Sequence, residues 1–250
     1  MSGPPDGPEQ HDPDASASTT ATDFARRLAG DWMSPSGLGL LGVYLIGSLA
    51  HGGFSRRYSD IDIALVARAG LAAPALDHLR RDAAARSAEW GPRISLFWAD
   101  RNFSVGRFPP LDRVDFVDNA VTLAERERVR PPRPTLTEIR DYLRGPPFAG
   151  WAERARAFAA EATLAPHDRK AFLRALLYPA RLCFSWTTGR MGGNDEAVAF
   201  LQAQRLTGLD VDLIARALAC RRAAADPDAL FAARDALPRQ IEACEAFIHG

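Results

Sequence analysis

The sequence predicts an α+β chain: a mixed-sheet unit with helices first, then an all-α helical bundle. Three observations predict it. Apolar runs of strand type at 40–48 and 61–66 flank a Gly-rich turn. The run Arg130-Pro131-Pro132-Arg133-Pro134 carries three prolines in four residues, which prevent helix and disfavour sheet. Beyond it the apolar period becomes helical to the end of the chain. The expected division is a disordered tail over 1–21, a sheet domain over 22–129, a linker over 130–134 and a helical domain over 135–250. A cleft between the two domains would be available for ligands.

Each element has a local cause. Residues 1–21 hold no large apolar side chain after Met1, so burial cannot offset their ordering entropy, and a disordered tail is expected. A short helix is expected from Asp23 as cap through Trp32. The two apolar runs give the first two strands. Residues 74–88 predict a helix with Leu76, Leu79 and Ala83 on one face and Pro74 in its first turn. Residues 93–98 predict a third strand, and 114–123 fit either strand or helix. Six helices follow, at 135–143, 151–163, 168–188, 195–206, 211–224 and 228–247. Thr135 and Glu138 have capping-box spacing. Gly145, Gly189 and Gly208 stand where helices should end. Pro179 predicts a kink or a break.

The composition bounds the function. The 31 basic and 31 acidic residues leave a formal net charge of zero, against the basic excess of a dedicated nucleic-acid binder. Lys170 is the single lysine, and the richness in Arg, Ala and Pro reads as a high-GC genome. Cys183, Cys220 and Cys244 are widely spaced, with no CxxC or Cys/His cluster, which suggests neither a disulfide framework nor a zinc site. No signal-peptide pattern opens the sequence, and no apolar run approaches the ~20 residues that span a bilayer. A cytoplasmic protein without membrane or nucleic-acid partners is expected.

The chemistry concentrates between the first two strands. Gly47-Ser48 is followed by Tyr58-Ser59-Asp60-Ile61-Asp62-Ile63. Alternation along a strand projects Asp60 and Asp62 together, with Ile61 and Ile63 pointing away. Two acids forced together repel unless a cation joins them. Mg2+ takes such oxygen ligands, usually one or two carboxylates with substrate phosphates. The Gly-Ser turn offers backbone N–H groups, a hydroxyl and close approach, which suit a nucleoside triphosphate. A phosphate cradle beside a metal-binding acid pair is the minimum equipment for nucleotidyl transfer.

Gly47-Ser48 in register with Asp60-Ile61-Asp62 resembles the nucleotidyltransferase superfamily. The stretch from Arg181 through Thr188-Gly189 to Asp195 and Ala197 resembles the C-terminal domain of the streptomycin/spectinomycin adenylyltransferases. The resemblance implies a nucleotidyltransferase-type sheet domain joined to a helical bundle. It implies transfer of AMP from ATP to a hydroxyl of a small acceptor, typically an aminoglycoside-type antibiotic, and hence antibiotic resistance. Asp60 and Asp62 would be the catalytic, Mg2+-holding acids; Gly47, Ser48 and Arg181 would hold the nucleotide. The family commonly adds a third carboxylate on a neighbouring strand. Here Ser95 occupies the centre of that strand, where it could bind a metal-held water, and Asp100 falls just past its end, either a stand-in for the missing acid or a solvated turn residue. Asn194 stands where the family has a lysine. Asp112, Asp115 and Asp118, spaced i, i+3, i+6, read as a solvated helix face, and Asp100, Asp112 and Asp115 are by sign alone candidates for a cationic acceptor. Lys170, Arg174 and Arg181 share one helical face, a pattern usual for a solvated basic stripe. His51 and Arg56-Arg57 read as exposed loop residues, and Trp151 and Trp186 as core or cleft wall. Two rival readings are a protein-adenylylating nucleotidyltransferase and a catalytically idle relative that binds nucleotide as a regulator.

Overall fold

The structure is a computed structural model that describes residues 13–34, 37–204, 206 and 208–250. It is an α+β fold, with a five-stranded mixed sheet followed by helices.

The chain opens on α1 (Pro13–Met33), which buries Ala17, Ala21, Phe24, Ala25, Leu28, Ala29 and Trp32 against the sheet. Residues 13–21, expected in a disordered tail, are therefore helical. The reason is packing: Ala17 and Ala21 extend the helix's apolar stripe by a turn and more into the same core. Thr19 and Thr20 direct their hydroxyls to the carbonyls four residues back, which satisfies them within the helix. The rest of the expected tail lies outside the described residues.

The sheet is built from β1 (Leu40–Ile46), β2 (Ile61–Ala67), β3 (Ile94–Asp100), β4 (Gly106–Arg107) and β5 (Val121–Glu125), in the order β4-β3-β2-β1-β5. The short helix α2 (Ser48–His51) follows β1. β1 pairs antiparallel with β2 and β5, and β3 antiparallel with β4. β2 and β3 are parallel, a pairing that requires a crossover; α3 (Ala73–Arg86) provides it. The ambiguous segment resolves into both possibilities: α4 (Pro110–Asn119) ends at Ala120 and β5 begins.

Alternation sorts the strands into two apolar faces. Val43, Leu45, Ile61, Ile63 and Leu65 face α1 and α3. Tyr44, Ile46, Ala64 and Val66 face α4 through Phe116, with Phe97, Phe103 and Phe108 beside it. Asp62 shares the parity of Ala64 and Val66, so the pleat aims it toward α4.

The remaining helices are α5 (Leu136–Arg144), α6 (Pro146–Ala160), α7 (Arg169–Thr188), α8 (Asn194–Gln204), α9 (Val211–Arg222), α10 (Asp228–Phe231) and α11 (Leu237–His249). They form one cluster around the buried face of α7, including Phe172, Leu173, Leu176 and Cys183. Thr135 and Glu138 make the capping box at α5, and Gly189 ends α7 with φ 65°.

Two expectations change. The 228–247 segment is α10, a 3-10 turn and α11, because Pro238 belongs in a first helical turn. Pro179 does not break α7. Its missing N–H orphans the Ala175 carbonyl, and the Trp151 indole donates to that carbonyl at 2.9 Å instead. Trp151 also stacks on Tyr178, centroids 4.7 Å apart. Among the described residues, no helix is long and apolar enough to cross a membrane.

Candidate active site

A cavity of about 380 Å³ opens between the end of the sheet and the helical half. Its floor is the junction of β1, α2 and the start of β2. Gly47 follows β1 with φ 69°, a conformation that glycine adopts without strain. A Cβ there would lie 2.3 Å from the Asp62 Oδ2. Gly47 is thus required twice, for its backbone and for the room it gives the carboxylate.

Asp62 stands opposite Ser95 on the parallel neighbour β3, and the Ser95 side chain hydrogen-bonds to it. Burial pushes its carboxyl up to about 6; the neighbouring Asp60 pushes the same way, and Arg174 partly opposes them. Asp60 lies just before β2 and is half-exposed. It accepts from the Lys170 Nζ at 2.6 Å.

The third group of acids comes from α4. Asp115 is 2% exposed. It accepts from the Gly47 N–H at 2.7 Å and from the Asn119 Nδ2 at 2.8 Å, which pins the glycine turn to the helix. Asp112, one turn earlier, also lines the cavity. Burial pushes it up to about 6, reinforced by Asp115 and Asp62 and opposed by Arg181. The expectation of a solvated acidic face is therefore corrected for Asp112 and Asp115. α4 packs between the sheet and α5, so two turns of it look into the cavity. Only Asp118 points outward, paired with Arg133 at 2.9 Å.

The opposite wall is α7. Lys170, Arg174 and Arg181 all line the cavity, so the basic stripe faces the cleft, with Arg174 exposed there to solvent. Burial and the proximity of Arg174 lower the Arg181 pKa, while Asp112, Asp115 and Asp62 favour its charge. Among the described residues neither Arg174 nor Arg181 makes an ion pair; Arg181 meets the Met191 sulfur at 3.5 Å. Arg221, 9% exposed, donates to the Ser59 Oγ at 2.7 Å; burial and the nearby Arg181 and Arg174 lower it to about 10. His51 also lines the cavity. Burial lowers its pKa below the usual histidine value, which leaves the ring neutral at pH 7, and its Nδ1 is buried without a partner.

The structure brings Gly47, Ser48, Asp60, Asp62 and Arg181 to one cavity. It leaves Asp100 outside: that carboxylate accepts from Ser104 and Val105 N–H groups and shapes the turn before β4. Arg56 pairs with Glu89 and Arg57 with Asp226, both away from the cavity. Asn194 lines the cavity without charge, and Asp195 beside it pairs with Arg222. The residues that spacing did not assign to the site are Asp112, Asp115, Lys170 and Arg174. One signal was present in the sequence: Val114, Phe116 and Val117 flank Asp115, too wide an apolar arc for a helix lying on a surface.

Among the described residues, no group of three or more His, Cys, Asp or Glu is arranged to hold a metal. The pair Asp60 and Asp62 nevertheless suits Mg2+ chemically. Both are hard oxygen donors, Asp62 is a buried acid beside other acids, and a triphosphate would complete the shell.

No protein-family model matches the chain, and no curated protein matches its sequence. Among solved structures the fold is similar to spectinomycin adenyltransferase AAD(9) from Enterococcus faecialis, solved with ATP and spectinomycin. The TM-score is 0.60 at 11% identity, over 90% of this chain and 99% of that one. The likeness supports a nucleotidyltransferase-like fold.

Proposed function

We propose that this protein is a Mg2+-dependent nucleotidyltransferase that moves AMP from ATP to a hydroxyl of a small acceptor. The observation that carries the reading is Gly47 seated against Asp62, with Asp60 beside it, in a cavity walled by the cations of α7. The fold it shares with an adenyltransferase that binds ATP and spectinomycin supports the same class. An aminoglycoside-type acceptor is the form the resemblance favours.

Asp60 and Asp62 would hold Mg2+, which supplies charge neutralisation on the triphosphate and its leaving pyrophosphate. Gly47 and Ser48 position the phosphates, and Arg174 and Arg181 approach them from α7. The acceptor oxygen attacks the α-phosphorus, the bond to the bridging oxygen breaks, and pyrophosphate departs. Asp112 takes the acceptor's proton. It lines the cavity, and a carboxyl near 6 is ionised yet basic enough to act at neutral pH. In this reading α4 supplies the acid that β3 lacks, and Asp115 positions the glycine turn.

One observation favours a second reading. Lys170 already occupies Asp60, as in a relative that binds nucleotide without transferring it. Calorimetric titration with ATP and Mg2+, coupled to pyrophosphate release over a panel of aminoglycosides, separates the two. Binding with acceptor-dependent release supports transfer. Binding without release supports the idle relative. No binding removes both.

A further inference from the structure

Lys170, Arg174 and Arg181 present three cations to one cavity, but they are not equivalent. Arg174 and Arg181 make no ion pair among the described residues, whereas Lys170 is committed to Asp60 at 2.6 Å. Asp60 is one of the two carboxylates suited to a divalent cation. An ammonium and a divalent cation compete for the same Oδ1, since each neutralises the charge that attracts the other. The pair is also built to part. The side chains are 35% and 38% exposed, and such solvated pairs are weak. Lysine carries its charge on a flexible four-carbon stem with three rotatable donors, unlike a guanidinium fork. Arg174 lies one turn along the same face, so an ammonium leaving Asp60 stays within the basic wall.

We infer that Lys170 is an exchangeable counter-ion: it holds Asp60 while no divalent cation is bound, and passes to the phosphates of a nucleoside triphosphate when the cation takes Asp60. The inference rests on the nucleotide-binding reading above and adds an order of events to it. The cation and the triphosphate then bind cooperatively, because each removes a competitor of the other.

Being the only lysine, Lys170 can be followed without substitution. Labelling with ε-15N-lysine gives a single side-chain amine signal. Mg2+ alone should move that signal toward its position in Asp60→Asn, and Mg2+ with ATP should move it to a third position. Lys170→Met adds a test by opposite signs. Without nucleotide it should bind Mn2+ about three- to fivefold tighter than wild type, the effect of removing a weak competing pair. With Mn2+ present it should bind ATP about tenfold more weakly, the loss of one charge-assisted hydrogen bond. An amine signal unmoved by both additions overturns the exchange, as does Lys170→Met changing both affinities in the same direction. Wild type that binds neither Mn2+ nor ATP overturns the nucleotide reading itself, and the exchange with it.

Discussion

Replacing Asp62 by Asn should make the cation-free protein more stable at pH 8. Burial and Asp60 raise this carboxyl from its ordinary 3.8 to about 6. That difference corresponds to about 3 kcal/mol, taken as an upper bound because the cavity is open to solvent. The sign follows from the direction of the shift. Between about pH 4 and 6 the folded protein holds a proton that the unfolded chain has released, so stability falls as pH rises through this window. Above it the cost of an ionised, buried Asp62 is fully present. Asn removes the charge, keeps the shape and can still accept from Ser95. A gain of about 1–3 kcal/mol in a chain of this size is a rise of about 2–10 °C in Tm. Thermal melts in EDTA at pH 8 and pH 4.5 check it, and the gain should shrink to about a third at the lower pH. Adding Mg2+ should stabilise wild type and not the variant. An Asp62→Asn protein no more stable than wild type at pH 8, or a gain that grows on acidification, would refute the reasoning.

Asp112→Asn should lower acceptor-dependent pyrophosphate release by about 10²-fold or more while ATP binds no more weakly, as measured by calorimetry; equal turnover removes Asp112 as the proton acceptor. Since Asp62 and Asp112 must both be ionised, nucleotide transfer by wild type should fall as pH drops through about 6, read from the pH dependence of pyrophosphate release. Trp151→Phe should cost about 1–3 kcal/mol in urea unfolding, because the Ala175 carbonyl loses its donor inside the helical core. Adding Pro179→Ala should recover part of that loss by restoring a backbone N–H to the same carbonyl.

The α+β order was legible because it depends on local signals: apolar runs, three clustered prolines and a change of period. Gly47, Ser48, Asp60 and Asp62 could be grouped because they lie within a single hairpin-length span, where register alone brings residues together. The same reasoning failed for α4. An i, i+3 row of acids looks alike whether it faces water or a cleft, and the difference here is made by β1 and α5, on which α4 packs, and by α7 across the cavity, well apart from α4 in sequence. Lys170 was hidden for the same reason, its partner being 110 residues away. α1 was missed at its start because Ala, Ser and Thr carry no strong hydropathy, although Ala17 and Ala21 are nearly or wholly buried. Pro179 misled because the rule against a helical proline concerns the orphaned carbonyl, and the chain places an indole there.

Two guanidinium groups from opposite halves of the molecule converge on Ser59. Arg221, at the end of α9, donates to its hydroxyl at 2.7 Å, and Arg93, just before β3, donates to its carbonyl at 3.1 Å. Next to it, Tyr58 donates to Ala225 and Arg57 to Ala224. Ser59 therefore ties the sheet half to the helical half at this point. Asp60 follows Ser59 directly in the chain, so this tie fixes the carboxylate that meets Lys170 against the helical half.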